Sequence, residues 1–444
     1  MTPLNRATAA VAMLALAATQ AQERPGPEKL RAQSAEFRRE VIQVASGVYV
    51  AVGYAASNVV LVQGDGGSII VDTATDPVAA RAIVEAFGSR LRRPVRAIVY
   101  THSHPDHTGG ARVFAGDDAP DIYSHEQFLK TAADPGRAGR DGGDQFGMSL
   151  PAEEFINAGV QAEFGRVVPP TRDGYLPPTR TFSGEDSSLT IAGVHLQLLH
   201  TPGETPDMIA VWLPARRVLM PGDNFFRAFP NVAPIRGSRL RTPDAWLTSL
   251  NRVIALDPEH VVPGHTRPVL GAAAASAALT AYRDGLKSIL DQTLDGIRRG
   301  ERPDELVAHV KLPPALAEHP FLQEFYGGIE WTVRGIYADH VGWFDGNPTN
   351  LFPLPGRDRA TRLVAALGGA DRVVERGRAA LAAGDFTWAA ELADYVLAND
   401  AAHIVARRLK AQALTELAER QINAIARNYY LTTAQFLLKD LPPR

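Results

Sequence analysis

The chain has 444 residues, with 45% hydrophobic and 21% charged residues, the balance of a folded globular protein large enough for two or three domains. Lys and Arg number 46 against 49 Asp and Glu, a net of -3, which lacks the basic surplus that nucleic-acid phosphates select and excludes nucleic acid as the main partner. Cysteine is absent, so disulfides, iron–sulfur clusters and thiol nucleophiles are excluded and any metal must be held by His, Asp and Glu.

Met1–Ala21 has the build of a secretory signal: a positive Arg6, an apolar run from Ala9 to Ala18, and small residues at Thr19 and Ala21. Cleavage after Ala21 and a periplasmic or secreted location are expected. The alternative is a disordered or lipid-surface helix. The run is too short to serve as a stable membrane anchor.

Strand patterns follow at Gly47–Val52, Asn58–Gln63 and Ser68–Asp72, the last two flanking the turn Gly64-Asp65-Gly66-Gly67. A helix is predicted over Pro77–Arg90 and a fully apolar strand over Ala97–Tyr100. The stretch Asp134–Pro178 is rich in Gly and Pro and reads as a long loop of the kind that is often functional; it contains Arg137, Arg140 and Phe146-Gly147, and a solvated loop is an equal alternative. Strands recur at Ser188–Ile191, His195–Leu199, Ile209–Leu213 and Val218–Met220, and Val261-Val262 leads into Pro263-Gly264-His265. Beyond about 270 the pattern turns helical: Ala272–Arg299, Pro303–Val310, Pro320–Ala338, then helices to the C-terminus. Residues 40–270 thus read as a mixed α/β domain and 271–444 as an all-α one. Ala383–Leu392 has the small-residue rhythm of one tetratricopeptide-like hairpin, too little for a repeat array.

The strand at Ala97–Tyr100 runs into Thr101-His102-Ser103-His104-Pro105-Asp106-His107-Thr108-Gly109-Gly110. Three imidazoles and a carboxylate within six positions can address two adjacent metal ions from one loop, and the mixture suits zinc. A chance His-rich surface loop is a poor alternative in a chain with only 12 His.

This HxHxDH loop resembles the metallo-β-lactamase superfamily, and the remaining superfamily motifs follow in order: Thr201-Pro202-Gly203-Glu204-Thr205, Pro221-Gly222-Asp223-Asn224 and Val262-Pro263-Gly264-His265. The resemblance implies an αββα sandwich and two zinc ions per chain. His102, His104 and Glu204 would hold one, Asp106, His107 and His265 the other, and Asp223 would bridge them. Glutamate at 204, where the superfamily usually has histidine, is a feature of the alkyl sulfatase branch. His200, just ahead of that motif, competes with Glu204 as a ligand, and Glu204 is preferred. His195, five residues earlier, should face the other way and be exposed.

Further segments resemble the same branch. Phe229–Gly237 is similar to a stretch whose arginine, here Arg236, holds sulfate, and Asn231 is a candidate substrate contact; the alternative for Arg236 is a structural ion pair. Tyr282-Arg283-Asp284, Gly342–Leu351, Gly384–Leu392 and Asn428–Thr432 are similar to the branch's helical dimerisation domain. The resemblance implies a periplasmic zinc-dependent hydrolase of alkyl sulfate esters, with Asp106 and Asp223 as catalytic carboxylates, metal-bound hydroxide as attacking group, a small anionic ester as substrate and a homodimer as the assembly. A hydrolase of another ester, a lactone, a β-lactam or a phosphoester is the alternative. There are departures: Asp223 replaces the branch's usual glutamate, and Trp331 replaces a histidine that reaches sulfate or leaving group, with Tyr326 and His340 as candidate substitutes. The branch's sterol-carrier-like third domain is not matched, which favours short or compact substrates.

Overall fold

The computed structural model describes residues 25–133, 143–162, 173–237 and 241–442. Met1–Ala21, read as a signal, and Arg137 and Arg140 lie outside them.

Alternating and fully apolar strands build two sheets. The first has seven strands in chain order: β1 Glu40–Ala45, β2 Val48–Val52, β3 Val59–Gly64, β4 Gly67–Val71, β5 Val95–Val99, β6 Asp121–His125 and β7 Arg180–Phe182. β1 to β4 form an antiparallel meander whose tight turn pairs Gly64 with Gly67, and β4 to β7 pair in parallel. The second sheet has six strands: β8 Asp186–Ile191, β9 Val194–His200, β10 Ile209–Leu213, β11 Val218–Met220, β12 His260–Val261 and β13 Val269–Leu270, ordered β13-β12-β11-β10-β9-β8.

Three apolar layers result. Val50, Val60, Ile69 and Val99 of the first sheet meet Leu196, Leu198, Val211 and Met220 of the second, so the sheets pack face to face. The other face of the first sheet carries the helix Pro77–Phe87, whose Ala80, Ile83 and Phe87 sit among Leu61, Ile70 and Ile98. That helix begins where Asp76 accepts hydrogen bonds from the backbone N–H of Val78 and Ala79, with Pro77 in its first turn. The other face of the second sheet packs Trp246 and Leu250 of the helix Pro243–Ile254 and Leu279, Tyr282 and Leu286 of the helix Ala272–Arg298. The architecture is α/β: an αββα sandwich, as the resemblance implies, followed in the chain by an all-α region.

The described residues divide into two compact units. One holds those between Gln33 and Gly142 and between Asn157 and Asp345; the other holds Gly143–Ile156, Gly346 onward and residues 25–32. Residues 271–345, grouped by their helical pattern with the C-terminal half, therefore belong with the sheets. Their apolar stripes explain it, because Val333 and Ile336 join the cluster that covers the second sheet. The helix expected over Pro320–Ala338 starts only at Ile329, after Gly327-Gly328. In the second unit, helices Ala370–Ala382 and Phe386–Asn399 form the hairpin expected there, with Asp385 capping the second through the backbone N–H of Trp388.

Candidate metal centre

β5 ends at Val99 and delivers the His-rich loop to one edge of the sandwich. Pro105 then starts a single helical turn, Pro105–Thr108, that carries Asp106 and His107. Gly109 and Gly110 let the backbone pass close to the segment Thr73–Thr75. A Cβ on them would lie 1.9 Å from the Thr75 carbonyl oxygen and 2.2 Å from that of Thr73.

The other ligand candidates come from the loops after β9, β11 and β12 of the second sheet. His102, His104, Glu204 and Asp223 offer ligand atoms within 4.8 Å of one another, as do Asp106, His107 and His265. Asp223 Oδ2 lies 3.0 Å from His265 Nε2, 3.4 Å from His107 Nε2 and 3.8 Å from His102 Nε2, so one oxygen reaches both groups. Glu204 Oε2 lies 3.5 Å from His102 Nε2 and 3.4 Å from His104 Nδ1. All seven residues singled out in the sequence meet in one place.

The donor set fits a pair of dications. His107 Nε2, Glu204 Oε2 and Asp223 Oδ1 are buried and make no hydrogen bond, an arrangement that costs stability unless an ion takes up their lone pairs. Burial opposes a charge on His107, but Asp223, Asp72 and Asp106 outweigh it and raise its pKa well above the usual imidazole value. Burial likewise opposes charge on Asp223, yet His265 and His107 hold its carboxyl well below the usual range. The cluster therefore favours added positive charge at its centre.

Two supporting residues carry no motif and were missed in the sequence. Asp72, at the end of β4, accepts hydrogen bonds from the Thr101 backbone N–H and hydroxyl and from His107 Nδ1, each at 2.8 Å. That bond aims Nε2 of His107 at the cluster. Arg241 lies 2.5 Å from Glu204 Oε1, with both side chains 3% accessible. Gly264 is a third constraint, because a Cβ there would lie 2.1 Å from Asp223 Oδ1. Gly264→Ala is expected to displace Asp223 and weaken metal binding about 10–100-fold, read as metal retained per chain after dialysis.

Asn231 is buried and Arg236 half-buried in the segment after Asp223. Arg236 lies within electrostatic reach of Arg241 and of Tyr326, a buried tyrosine whose pKa burial raises. Tyr326 is held there by its neighbours: Gly327 donates to the Phe229 carbonyl and Phe229 to that of Gln323. His340, the other candidate substitute for the missing histidine, is exposed. A cavity of about 250 Å³ adjoins the loop, lined by Ser103, Pro105, Phe128, Leu129, Ala132 and Tyr175.

His200 is not part of the cluster. Its Nε2 bonds the Pro206 carbonyl, and its ring stacks on His125 with centroids 3.8 Å apart. His195 is exposed, as the strand period requires. Burial and His200 lower the pKa of His125, so the folded chain resists a proton that the unfolded chain accepts near pH 6.5. The stability this contributes is present above about pH 6.5 and is lost as pH falls toward the lower folded value. His125→Gln is expected to make the urea midpoint fall less between pH 7 and pH 5 than in the native chain.

Comparison with known proteins agrees with this geometry. The metallo-beta-lactamase superfamily model matches residues 52–265 and the alkyl sulfatase dimerisation model residues 302–440. A linear primary-alkylsulfatase from a Pseudomonas species is 36% identical over 391 residues, 85% of this chain and 73% of that protein. An (R)-specific secondary-alkylsulfatase, also from Pseudomonas, is 30% identical, with 90% of this chain and 63% of that one covered. The structure of the stereoselective inverting sec-alkylsulfatase Pisa1 from Pseudomonas superimposes with a TM-score of 0.81 at 29% identity, covering 91% of this chain and 66% of that one. The chain thus spans about two thirds of the length of these relatives. With metal-ligand candidates converging as the sequence motifs require, and with a relative this similar along most of both chains, the protein belongs to the alkyl sulfatase branch of the metallo-β-lactamase superfamily.

Proposed function

We propose that the protein hydrolyses alkyl sulfate esters, adding water and releasing an alcohol and sulfate. The observation that carries this reading is the carboxylate of Glu204 opposite His102 and His104, linked through Arg241 to the Asn231 carbonyl and so to the segment bearing Arg236. Two zinc ions, when bound, would supply a water acidic enough to ionise near neutral pH and a Lewis acid toward the ester. His102, His104 and Glu204 would hold one ion, Asp106, His107 and His265 the other, with Asp223 between them.

The chain's own residues do the rest. The Arg236 guanidinium pairs with the oxygens of the sulfate group, and its planar fork suits a tetrahedral anion. Asn231 adds a hydrogen bond from its amide. Tyr326, like any tyrosine near neutral pH, carries its proton, and burial favours that form further, so its hydroxyl donates to the anion or the departing oxygen. The apolar cavity beside the loop takes a short alkyl group. Export through Met1–Ala21 to the periplasm and homodimerisation through the region matched by the dimerisation model complete the reading.

The test is a panel of short primary and secondary alkyl sulfates, a lactone, a β-lactam and a phosphodiester, with sulfate measured directly. Sulfate release in preference to turnover of the others is expected. Turnover of another class without sulfate release would transfer the protein to the alternative hydrolase.

A further inference from the structure

An imidazole ligand and a carboxylate ligand make different demands on their surroundings. An imidazole bound through one nitrogen leaves a single N–H to be met. A buried carboxylate leaves a second, charged oxygen that needs a strong donor. The two oxygens of Glu204 are divided accordingly. Oε2 faces His102 and His104 and makes no hydrogen bond, whereas Oε1 lies 2.5 Å from Arg241 Nη1. The same Nη1 donates to the Asn231 carbonyl at 3.0 Å. The backbone end of Glu204 is fixed as well, because its N–H donates to Asn224 Oδ1 at 2.9 Å.

We propose that Arg241 is a positioning residue of the metal centre: it holds Oε1 of Glu204 so that Oε2 stays turned to the two imidazoles, and through the Asn231 carbonyl it ties that ligand to the segment bearing Asn231 and Arg236. The inference rests on the metal centre and not on sulfate as the substrate. Glutamate brings to position 204 a negative charge that histidine would not, and Arg241 matches it with a buried cation. Neither member suits the fold without the other, since each alone would be an uncompensated buried charge. Arginine is suited to the task because Nη1 carries two N–H groups fixed in the guanidinium plane, one for each acceptor, whereas a lysine ammonium is a point charge with less directional control.

The test uses the full chain as native protein, Arg241→Met, Arg241→Lys, Glu204→His and the double variant Glu204→His/Arg241→Met. Zinc affinity is measured by chelator competition, and the cobalt-loaded forms by visible spectroscopy. Arg241→Met is expected to weaken one of the two zinc sites about 10–100-fold and to change the cobalt spectrum, with Arg241→Lys recovering part of the loss. In the Glu204→His background the same Arg241→Met change should cost less than about 3-fold, because the two residues act as one unit. Unchanged zinc affinity and an unchanged cobalt spectrum in Arg241→Met would overturn the proposal, as would an equal loss in both backgrounds, the mark of a purely structural arginine. If Arg241→Met does not fold, recovery of folding in the double variant supports the pairing and persistent failure overturns it. Native protein that takes up no zinc would remove the metal centre itself, an outcome distinct from a failure of Arg241 alone.

Discussion

Asp223→Ala is expected to lower bound metal from about two ions per chain to about one or fewer, and kcat/KM by more than about 100-fold. The reason is geometric. One Asp223 oxygen lies 3.0 Å from His265 Nε2, 3.4 Å from His107 Nε2 and 3.8 Å from His102 Nε2, so its removal disturbs both groups of ligands at once. Asp223→Asn separates two roles for that oxygen. If Asp223 only accepts hydrogen bonds from neighbouring imidazoles, the amide oxygen can replace it and activity survives. If it bridges cations, the neutral amide is a weak ligand and the asparagine variant loses metal nearly as fully as the alanine one. Metal analysis and initial rates on the same preparations decide between them, and a two-metal, active Asp223→Asn protein would defeat the bridging role.

The second large effect is expected at a residue that touches no proposed ion. Asp72 receives three donors: the Thr101 N–H, the Thr101 hydroxyl and His107 Nδ1. Asparagine has one oxygen and an NH₂ that would face a donor, so it cannot accept all three. Asp72 also has φ of 57°, a left-handed conformation that asparagine tolerates as readily as aspartate, so the backbone should be kept. Asp72→Asn is therefore expected to fold, yet to lose about 10–100-fold in metal affinity or kcat/KM through misaimed His107. Circular dichroism confirms the fold, and kinetics within about 2-fold of native would show that Asp72 does not aim the imidazole.

The seven ligand candidates were legible because each lies in a short loop just after an apolar strand, five of them directly beside Gly or Pro, so local pattern and chemistry agree. Asp72 and Arg241 were not. Each acts on a partner 29 or more residues away in sequence, through a single side chain with no motif around it. Strand β6 was missed for a related reason. Asp121, Ser124 and His125 interrupt its apolar pattern, and it is a strand by virtue of its parallel pairing with β5 and β7. The domain boundary near 270 marked a true change from strands to helices, but secondary structure does not say which surface a helix covers. Leu279, Tyr282 and Leu286 cover the second sheet, and only the packed structure shows it.

The ligands also come from both sheets: the loop after β5 supplies four, and the loops after β9, β11 and β12 supply Glu204, Asp223 and His265. Ion uptake at this site would consequently be coupled to closure of the sandwich, since neither half alone presents all the candidate ligands. A free ion concentration about 100 times the dissociation constant favours the closed form by about 2.7 kcal/mol. A chelator is then expected to act on this protein as a denaturant directed at one seam, with metal supply setting how long the chain survives proteolysis.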